Sequence, residues 1–204
     1  PIDIIHAHLL ATSLAPIVFR RSCSPETKLI FHWHNEPARR RMKRPINMWI
    51  AREYDMHCPV SNYVKRKFIE YSRINPSRVI TIHNAVDTEI FRYSEDFRNE
   101  VRCKLGLEDD IHTILYIGRI IPEKGLHHLV LALPYLVRSK WKFRLLIVGP
   151  KGHYEKEEQS YYQYTERLID MLKLREYVSY LGRVKKEDLP KLYSASDIVV
   201  VPSL

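Results

Sequence analysis

Short apolar runs alternate along this chain with stretches whose apolar residues recur every three or four positions. The runs are rich in Ile, Val, Leu and aromatic residues, which predicts β-strands, and the stretches between them predict amphipathic helices. In the first half, strands are predicted over Ile2–His8, Lys28–His34, Met56–Ser61 and Arg78–Asp87. Helices are predicted over Leu9–Arg20, Glu36–Tyr54 and Asn62–Tyr71, with Pro45 breaking or restarting the second and Ser61 capping the third.

The same alternation restarts in the second half after a charged stretch. Strands are predicted over Ile111–Ile117, Phe143–Val148, Val178–Leu181 and Ile198–Val201, and helices over Gly125–Val137, Gln159–Leu172 and Lys186–Ser194. Pro134 predicts a kink or a split in the first of these helices. Strands that alternate with helices indicate a parallel sheet covered on both faces, and this pattern occurs twice.

The charged stretch from Thr88 to Asp110 has no strand signal and marks a boundary between two domains. We therefore expect one domain at residues 1–88, a connection at 89–110 and a second domain at 111–204. The chain begins at Pro1 directly before one predicted strand and stops at Leu204 directly after another, so we expect both ends to be cut from a longer protein.

Composition narrows the class of protein only modestly. A net charge of +9 favours anionic partners, namely nucleotides, nucleic acid or an acidic membrane surface, and charge alone does not choose among them. The three cysteines are odd in number and widely spaced, which is typical of a reducing compartment. No apolar run approaches the roughly 20 residues that a membrane-spanning helix needs.

The segment Ile114–Leu133, ILYIGRIIPEKGLHHLVLAL, combines a buried strand, a loop with Arg119 and Lys124, and a helix that opens near Gly125. A strand that leads into a helix N-terminus creates an anion site, because free backbone N–H groups and the helix dipole are directed at the loop. The two cations favour a phosphate or diphosphate there. A solvent-exposed turn with solubilising cations is the alternative, and the local pattern leaves both open.

Two histidine pairs, His6 with His8 and His32 with His34, lie on predicted strands. At this spacing both members of a pair are on the same face of a sheet. A zinc site is disfavoured because no acidic or thiol partner lies at a recognised ligand spacing. The alternatives are an acid–base or hydrogen-bonding role for His34 beside Asn35 in a cleft, and a partly buried histidine with its hydrogen bonds satisfied.

Two further features receive structural interpretations. Asn84 and Asp87 in HNAVD are typical turn residues, and Asp87 is expected to cap the turn that follows. The basic stretches Arg39–Pro45 and Val64–Phe68 lie near Met48–Ile50 and suit either an anionic lipid surface or, as the favoured interpretation, a solvated helix face. No recognition-helix, zinc-finger or RNA-binding signature accompanies the charge, so nucleic acid is not expected as a partner.

Eight segments, taken in order, resemble glycosyltransferase family 4. They are DIIHAH, LIFHWHNE, CPVSNYVKRKF, VITIHNAVDTEIF, ILYIGRIIPEKG, LLIVGP, VSYLGRV and LYSASDIVVVPS. The resemblance covers essentially the whole chain. It implies an α/β fold of GT-B type, with parts of two Rossmann-like parallel-sheet domains facing across a cleft, and transfer of a sugar from a nucleotide-diphosphate donor with retention of configuration.

Site residues follow from this resemblance by position. Arg119 and Lys124 match the basic pair that neutralises the donor diphosphate, and His34 matches the catalytic histidine in the cleft of the N-terminal domain, placed near the transferred sugar. Gly182, Arg183 and Val184 match the region that holds the nucleobase. No metal and no other cofactor is expected. Ala85 replaces the usual glycine of the NGVD turn, which implies strain if that position needs a positive φ.

The chain also departs from the family pattern. The Gly-rich loop that precedes the first strand and the glutamate pair that follows PSL are absent, and the insertion Lys151–Tyr164 is longer than the usual turn, as in a subgroup with spore-coat glycosyltransferases. The fragment itself is therefore expected to be inactive.

The expected whole protein is a hexosyltransferase in glycan, glycolipid or cell-envelope biosynthesis. Its partners would be a nucleotide-sugar donor, a saccharide, lipid-linked or other acceptor, and an anionic membrane in peripheral contact, and its expected location is the cytoplasm or the inner face of the membrane. A truncated, inactive remnant that only binds nucleotide or a partner is the alternative. A nucleotide-sugar epimerase of the same fold is disfavoured by the combination of GRIIPEKG and NAVD.

Overall fold

The computed structural model describes residues 2–8, 12–35, 44–151 and 156–204. The chain divides into two compact units, Pro1–Val86 and Asp87–Leu204. The second unit therefore includes segment 89–110, which is expected from the sequence to be a connection and which contains a helix. None of the helices in the described ranges is long and apolar enough to cross a membrane.

The first unit is a three-stranded parallel sheet in the order β1–β2–β3 with helices between the strands. Its elements are β1 (Ile4–Ala7), α1 (Leu14–Ser22), β2 (Lys28–Trp33), α2 (Arg44–Glu53), β3 (Met56–Pro59) and α3 (Asn62–Ser72). One apolar core holds the unit together, and Leu29, Tyr54 and Phe68 are completely buried in it. The hydroxyl of Ser61 accepts a hydrogen bond from the Val64 N–H at 3.2 Å, which confirms the predicted cap of α3.

The second unit is a four-stranded parallel sheet in the order β6–β5–β4–β7. Its elements are α4 (Glu95–Lys104), β4 (His112–Ile117), α5 (Leu126–Arg138), β5 (Phe143–Val148), α6 (Lys156–Met171), β6 (Val178–Gly182), α7 (Leu189–Ala195) and β7 (Ile198–Val199). Two apolar clusters cover the two faces of the sheet, because alternate residues of β4 and β5 are directed to opposite sides. The predicted α/β class with two parallel sheets is thus confirmed.

The structure differs from the predicted elements in three places. Residues 78–87 form no strand, since only Val79 makes a β-bridge, to His57, before the chain continues as an irregular segment. Helix α5 runs continuously through Pro134, which neither splits nor ends it. Helix α4 occupies a segment without a strand signal, where Ser94 caps the first turn by accepting from the Phe97 N–H at 3.3 Å.

Some predictions fall outside the described residues. These are the start of the first predicted helix at 9–11, the basic stretch 39–43 with the helical turns before Pro45, and insertion residues 152–155. Where the description resumes, α2 begins at Arg44 with Pro45 in its first turn, as expected for a proline that restarts a helix. Helix α6 begins at Lys156, three residues before the predicted start at Gln159.

Candidate functional site

The loop from Gly118 to Gly125, which we call the basic loop, connects β4 to α5 at the carboxyl end of the sheet. The Gly118 N–H donates to the Val148 carbonyl at 2.9 Å, and the Tyr116 hydroxyl donates to the Arg119 carbonyl at 2.9 Å. Ile120 and Ile121 are buried and anchor the loop to the core. The side chain of Arg119 is 64% exposed, so this anchoring presents its guanidinium to solvent.

The end of the basic loop is shaped by a close backbone approach. A 3₁₀ turn covers Pro122–Lys124, and Gly125 then adopts φ of 64° at the start of α5. A Cβ at Gly125 would lie 2.0 Å from the Pro202 carbonyl oxygen, so only glycine fits. The His127 N–H donates to the Tyr161 hydroxyl at 3.2 Å, so one amide of the helix N-terminus already has a partner on α6. An anion placed at this loop would therefore meet the side chains of Arg119 and Lys124, while the His127 N–H is already engaged.

Three glycines mark the ends of three adjacent strands: Gly118 after β4, Gly149 after β5 and Gly182 at the end of β6. The Gly149 N–H donates to the Gly182 carbonyl at 2.9 Å. A Cβ at Gly149 would lie 1.9 Å from the Gly118 carbonyl oxygen. These contacts bring the basic loop and the segment Gly182–Val184 together at the carboxyl end of the sheet, which we also call its carboxyl edge. Ligands of open parallel α/β sheets bind at this end of the strands.

The residues of the predicted nucleobase region, Gly182, Arg183 and Val184, differ in their exposure to solvent. Gly182 has φ of 71°, and the Arg183 side chain is exposed at the edge. Val184 is half-buried and packs against the apolar cluster that includes Leu192. Of the three, the Arg183 side chain is therefore the group most open to a ligand, while the Gly182 carbonyl already accepts one hydrogen bond, from the Gly149 N–H.

The charges at this edge include residues that the sequence motifs do not identify. A guanidinium nitrogen of Arg119 lies 3.5 Å from a carboxylate oxygen of Glu158 on α6, whose side chain is 15% exposed. Lys124 has no carboxylate within ion-pair distance in the described parts of the chain. Lys151 follows β5, and its ammonium lies 4.6 Å from the centroid of the Tyr180 ring. Burial raises the pKa of Tyr180 to about 12, so this tyrosine is neutral at pH 7.

Glu158 and Lys151 escape notice in the sequence for different reasons. Glu158 is one of several acidic residues in the insertion, and only the packing of α6 against α5 brings it to Arg119. Lys151 belongs to no motif. Its position directly after LLIVGP, at the carboxyl end of β5, is the one sequence feature that could have identified it.

In the first unit, His34 follows the carboxyl end of β2 and is exposed. Its Nε2 lies 2.9 Å from Nδ1 of His8, which follows β1. The two predicted histidine pairs therefore form one group, the histidine cluster, which consists of His6, His8, His32 and His34. Burial lowers the pKa values of His6 and His32, and the neighbouring histidines lower them further.

The turn at Asn84–Asp87 has the structural role that the sequence predicts. Oδ1 of Asp87 accepts from the Glu89 N–H at 2.9 Å and caps the turn that follows. Ala85 does not have a positive φ, so replacing the family's glycine causes no strain there.

Comparison with known proteins supports the family resemblance. The sequence model of the glycosyl transferases group 1 family matches residues 97–204, and that of glycosyltransferase family 4 matches residues 1–90. An uncharacterised glycosyltransferase of Methanocaldococcus jannaschii is 28% identical over 147 residues, which are 71% of this chain and 35% of that protein. Spore coat protein SA of Bacillus subtilis is 28% identical over 149 residues, 71% of this chain and 39% of that protein. The chain thus spans little more than a third of these relatives.

The fold is shared with solved structures. The structure of Anabaena Alr3699/HepE in complex with UDP matches with a TM-score of 0.82 at 22% identity, covering 98% of this chain and 53% of that one. The TM-score shows that the two chains share a fold, which is of GT-B type. Since the group 1 model covers residues 97–204 of the 204 present, the chain belongs to the glycosyl transferases group 1 family.

Proposed function

We propose that the whole protein transfers a hexose from a nucleotide-diphosphate donor to an acceptor, and that the basic loop binds the diphosphate. The observation that carries this proposal is the placement of Arg119 and Lys124 on one anchored loop at the carboxyl edge of the second sheet. Negative charge grows on the leaving diphosphate as the glycosidic bond breaks, and fixed cations stabilise that charge in the transition state. UDP bound to the Anabaena protein of the same fold supports a nucleotide donor.

The remaining assignments follow from the same proposal. Arg183 and the Gly182 backbone, with Val184 supporting them from the core side, hold the nucleobase. His34 acts on the transferred sugar as a hydrogen-bonding or acid–base group. Transfer proceeds with retention, as the family resemblance implies. It needs no metal ion on the diphosphate, because the two cations supply the charge that a metal would otherwise provide. The acceptor is a saccharide, a lipid-linked glycan or another molecule of glycan, glycolipid or cell-envelope biosynthesis.

The test replaces each cation separately in the full-length enzyme. Arg119→Ala and Lys124→Ala should each lower donor turnover about 100-fold or more, as expected when one group that stabilises transition-state charge is removed. Their melting temperatures should stay near that of the unaltered enzyme, because Arg119 is exposed and Lys124 makes no ion pair among the described residues.

The matched control is Lys142→Ala. Lys142 is an exposed cation of the same unit that precedes β5 and so lies at the opposite edge of the sheet, paired with Asp110. It should keep full turnover. Wild-type turnover in both basic-loop variants would refute the diphosphate assignment.

A further inference from the structure

The histidine cluster brings four imidazoles together on one face of the first sheet. Strands β1 and β2 are parallel with His6 opposite Ile30 and Ala7 opposite Phe31, so side chains at every second position share a face. The ring centroids of His6 and His8 are 4.4 Å apart, and those of His32 and His34 are 4.8 Å apart. The His8 and His32 centroids are 5.1 Å apart and connect the two pairs.

Three of these residues have the spacing of metal ligands. One ligating nitrogen each from His6, His8 and His32 lies within 4.8 Å of the other two. Around a tetrahedral Zn²⁺ with Zn–N bonds of about 2.0–2.1 Å, ligating nitrogens are roughly 3.3 Å apart. The most widely separated nitrogens must therefore approach by at most about 1.5 Å, the difference between the two distances. His6 and His8 are exposed, so rotation of their side chains can provide this movement.

His32 provides an independent reason to expect a ligand. Its side chain is only 8% exposed, and neither ring nitrogen makes a hydrogen bond of normal geometry in the described part of the chain, although the Ile82 backbone lies close enough to raise its pKa slightly. A buried polar group without a hydrogen-bond partner is destabilising, because it has lost its hydration and gained no bond in exchange. A metal ion bound to one of these nitrogens would remove this cost.

His34 is positioned to orient one of the ligands. Nδ1 of His8 and Nε2 of His34 are 2.9 Å apart, and one of the two nitrogens carries the shared proton. When His8 Nδ1 donates, His8 Nε2 is deprotonated and its lone pair is free for a metal ion. Metal-binding histidines typically donate their other N–H group in this way, which fixes the tautomer and the ring orientation.

The chemistry of the cluster selects a class of metal. Within the ranges that the structure describes, the side chains whose charge lowers the pKa values of His6 and His32 are other histidines of the cluster. Neutral imidazole suits Zn²⁺, Cu²⁺, Ni²⁺ and Co²⁺, whereas Mg²⁺ and Ca²⁺ require oxygen ligands. The absence of an acidic or thiol partner, which argues against zinc in the sequence, is no obstacle here because three histidines and one open position form a complete zinc site.

We propose that His6, His8 and His32 bind a divalent transition-metal ion, and zinc is the ion that these ligands favour. His34 is the positioning residue, and the fourth coordination position is open to solvent. The ion would link the carboxyl ends of β1 and β2. This inference does not depend on the proposed sugar transfer, because metal binding is measured without donor or acceptor.

The primary experiment titrates tag-free, chelator-treated protein with Zn²⁺ by calorimetry, and separately with Co²⁺ by visible spectroscopy. The expected result is one ion per chain, a rise in melting temperature that a chelator reverses, and the intense visible absorption of four-coordinate Co²⁺. Binding of several weak equivalents, or the faint spectrum of six-coordinate Co²⁺, would overturn the proposal.

Variants assign the binding to the cluster. His6→Asn and His8→Asn alter exposed side chains, and each should weaken Zn²⁺ binding by at least about 100-fold; His34→Asn should weaken it by about 10–100-fold, as for a residue that orients a ligand. Two controls should bind Zn²⁺ like the unaltered protein: His83→Asn in the same unit, and the double variant His127→Asn/His128→Asn in the other unit. Unchanged binding in His6→Asn, or lost binding in a control, would place the ion elsewhere and refute the site.

Discussion

The guanidinium of Arg119 has a partner in this structure, and a diphosphate at the basic loop would compete with that partner. Glu158 lies 3.5 Å away with a side chain that is 15% exposed, whereas the Arg119 side chain is 64% exposed. An ion pair of this accessibility contributes about 0.2–1 kcal/mol. Donor binding must overcome this interaction together with the direct repulsion between carboxylate and phosphate.

We therefore predict that Glu158→Gln strengthens binding of a nucleoside diphosphate. The expected gain is about 2- to 5-fold in affinity, equivalent to the free energy of one exposed ion pair. Calorimetric titration of UDP into the two proteins measures it. Glu166→Gln is the matched control, since Glu166 lies on the same helix and pairs with Arg175 at 3.0 Å. Equal or weaker binding in Glu158→Gln would show that the carboxylate does not compete with the diphosphate.

At the scale of single residues, the sequence predicts the cations but not their surroundings. Arg119 and Lys124 are adjacent to a strand end and a glycine, so a local pattern is enough to identify them. Glu158 and Tyr161 reach the same region only through packing of α6 on α5. The histidine pairs illustrate the same limit: their spacing places each pair on one face, but joining the two pairs requires the pairing of β1 with β2.

At the scale of elements, the sheet of the second unit depends on close contact between strand ends. Gly149 has φ of 156°, and a Cβ there would lie 1.9 Å from the Gly118 carbonyl oxygen. Because that oxygen belongs to the backbone of the basic loop, no side-chain rotation can relieve the clash. The two strands must separate, or the loop must move.

Gly149→Ala should therefore destabilise the second unit by about 2–6 kcal/mol, the sum of overpacking and an unfavourable backbone conformation. Gly106→Ala is the control: Gly106 also has a positive φ of 62°, but nothing lies within 4 Å of a Cβ there. It should cost only about 1 kcal/mol. Urea unfolding of both variants measures the difference between their free energies of unfolding. Equal losses of stability in the two variants would mean that the contact with Gly118 does not contribute to the destabilisation.

The prediction of secondary structure succeeds where a segment is buried and almost continuously apolar. It fails where formation of a strand depends on pairing with a neighbouring strand. Strands β4 and β5 are buried and almost continuously apolar, and their bounds in the structure are close to those predicted. Residues 78–87 have a similar local pattern, yet Ile80 and Ile82 only donate N–H groups to carbonyls of His57 and Pro59 and no full ladder forms. Pro134 stays inside α5 because burial of Leu129, Val130 and Leu133 outweighs the loss of one backbone hydrogen bond.

At the scale of the whole molecule, the two units have separate apolar cores and separate titrating groups. The residues of the first core come from the sequence range 7–79, and those of the two clusters in the second unit come from the range 101–195. His57 is completely buried in the first unit, where its Nδ1 accepts from Trp33 Nε1 at 3.1 Å. Burial, with a smaller contribution from Arg78, lowers the pKa of His57 from 6.5 to about 4.

The second unit has a different acid response. Burial tends to raise the pKa of Asp197, but hydrogen bonds from Thr113 and Arg98 lower it below its ordinary 3.8, so this carboxylate remains ionised above pH 4. Burial also lowers the pKa of His127, which is only half-buried. The stability of the second unit should therefore change less than that of the first unit between pH 6.5 and 4.

We predict that acid destabilises the first unit before the second. Because the unfolded chain binds a proton at His57 below pH 6.5 and the folded unit does so only near pH 4, unfolding becomes easier as the pH falls through this window, by up to about 3 kcal/mol. Urea unfolding at pH 7 and pH 4.5 measures this by tryptophan fluorescence. Trp33 reports the first unit in Trp49→Phe/Trp141→Phe, and Trp141 reports the second in Trp33→Phe/Trp49→Phe.

The variant His57→Gln identifies the responsible group. Glutamine retains an acceptor for the Trp33 N–H and does not titrate, so the difference between the midpoints at pH 7 and pH 4.5 should shrink for the first unit while its stability at pH 7 falls. The Trp141 signal should be unaffected by the substitution, since the second unit has its own core. If the first unit kept its full acid sensitivity in His57→Gln, the sensitivity would belong to other groups, and burial of a neutral His57 would not be its cause.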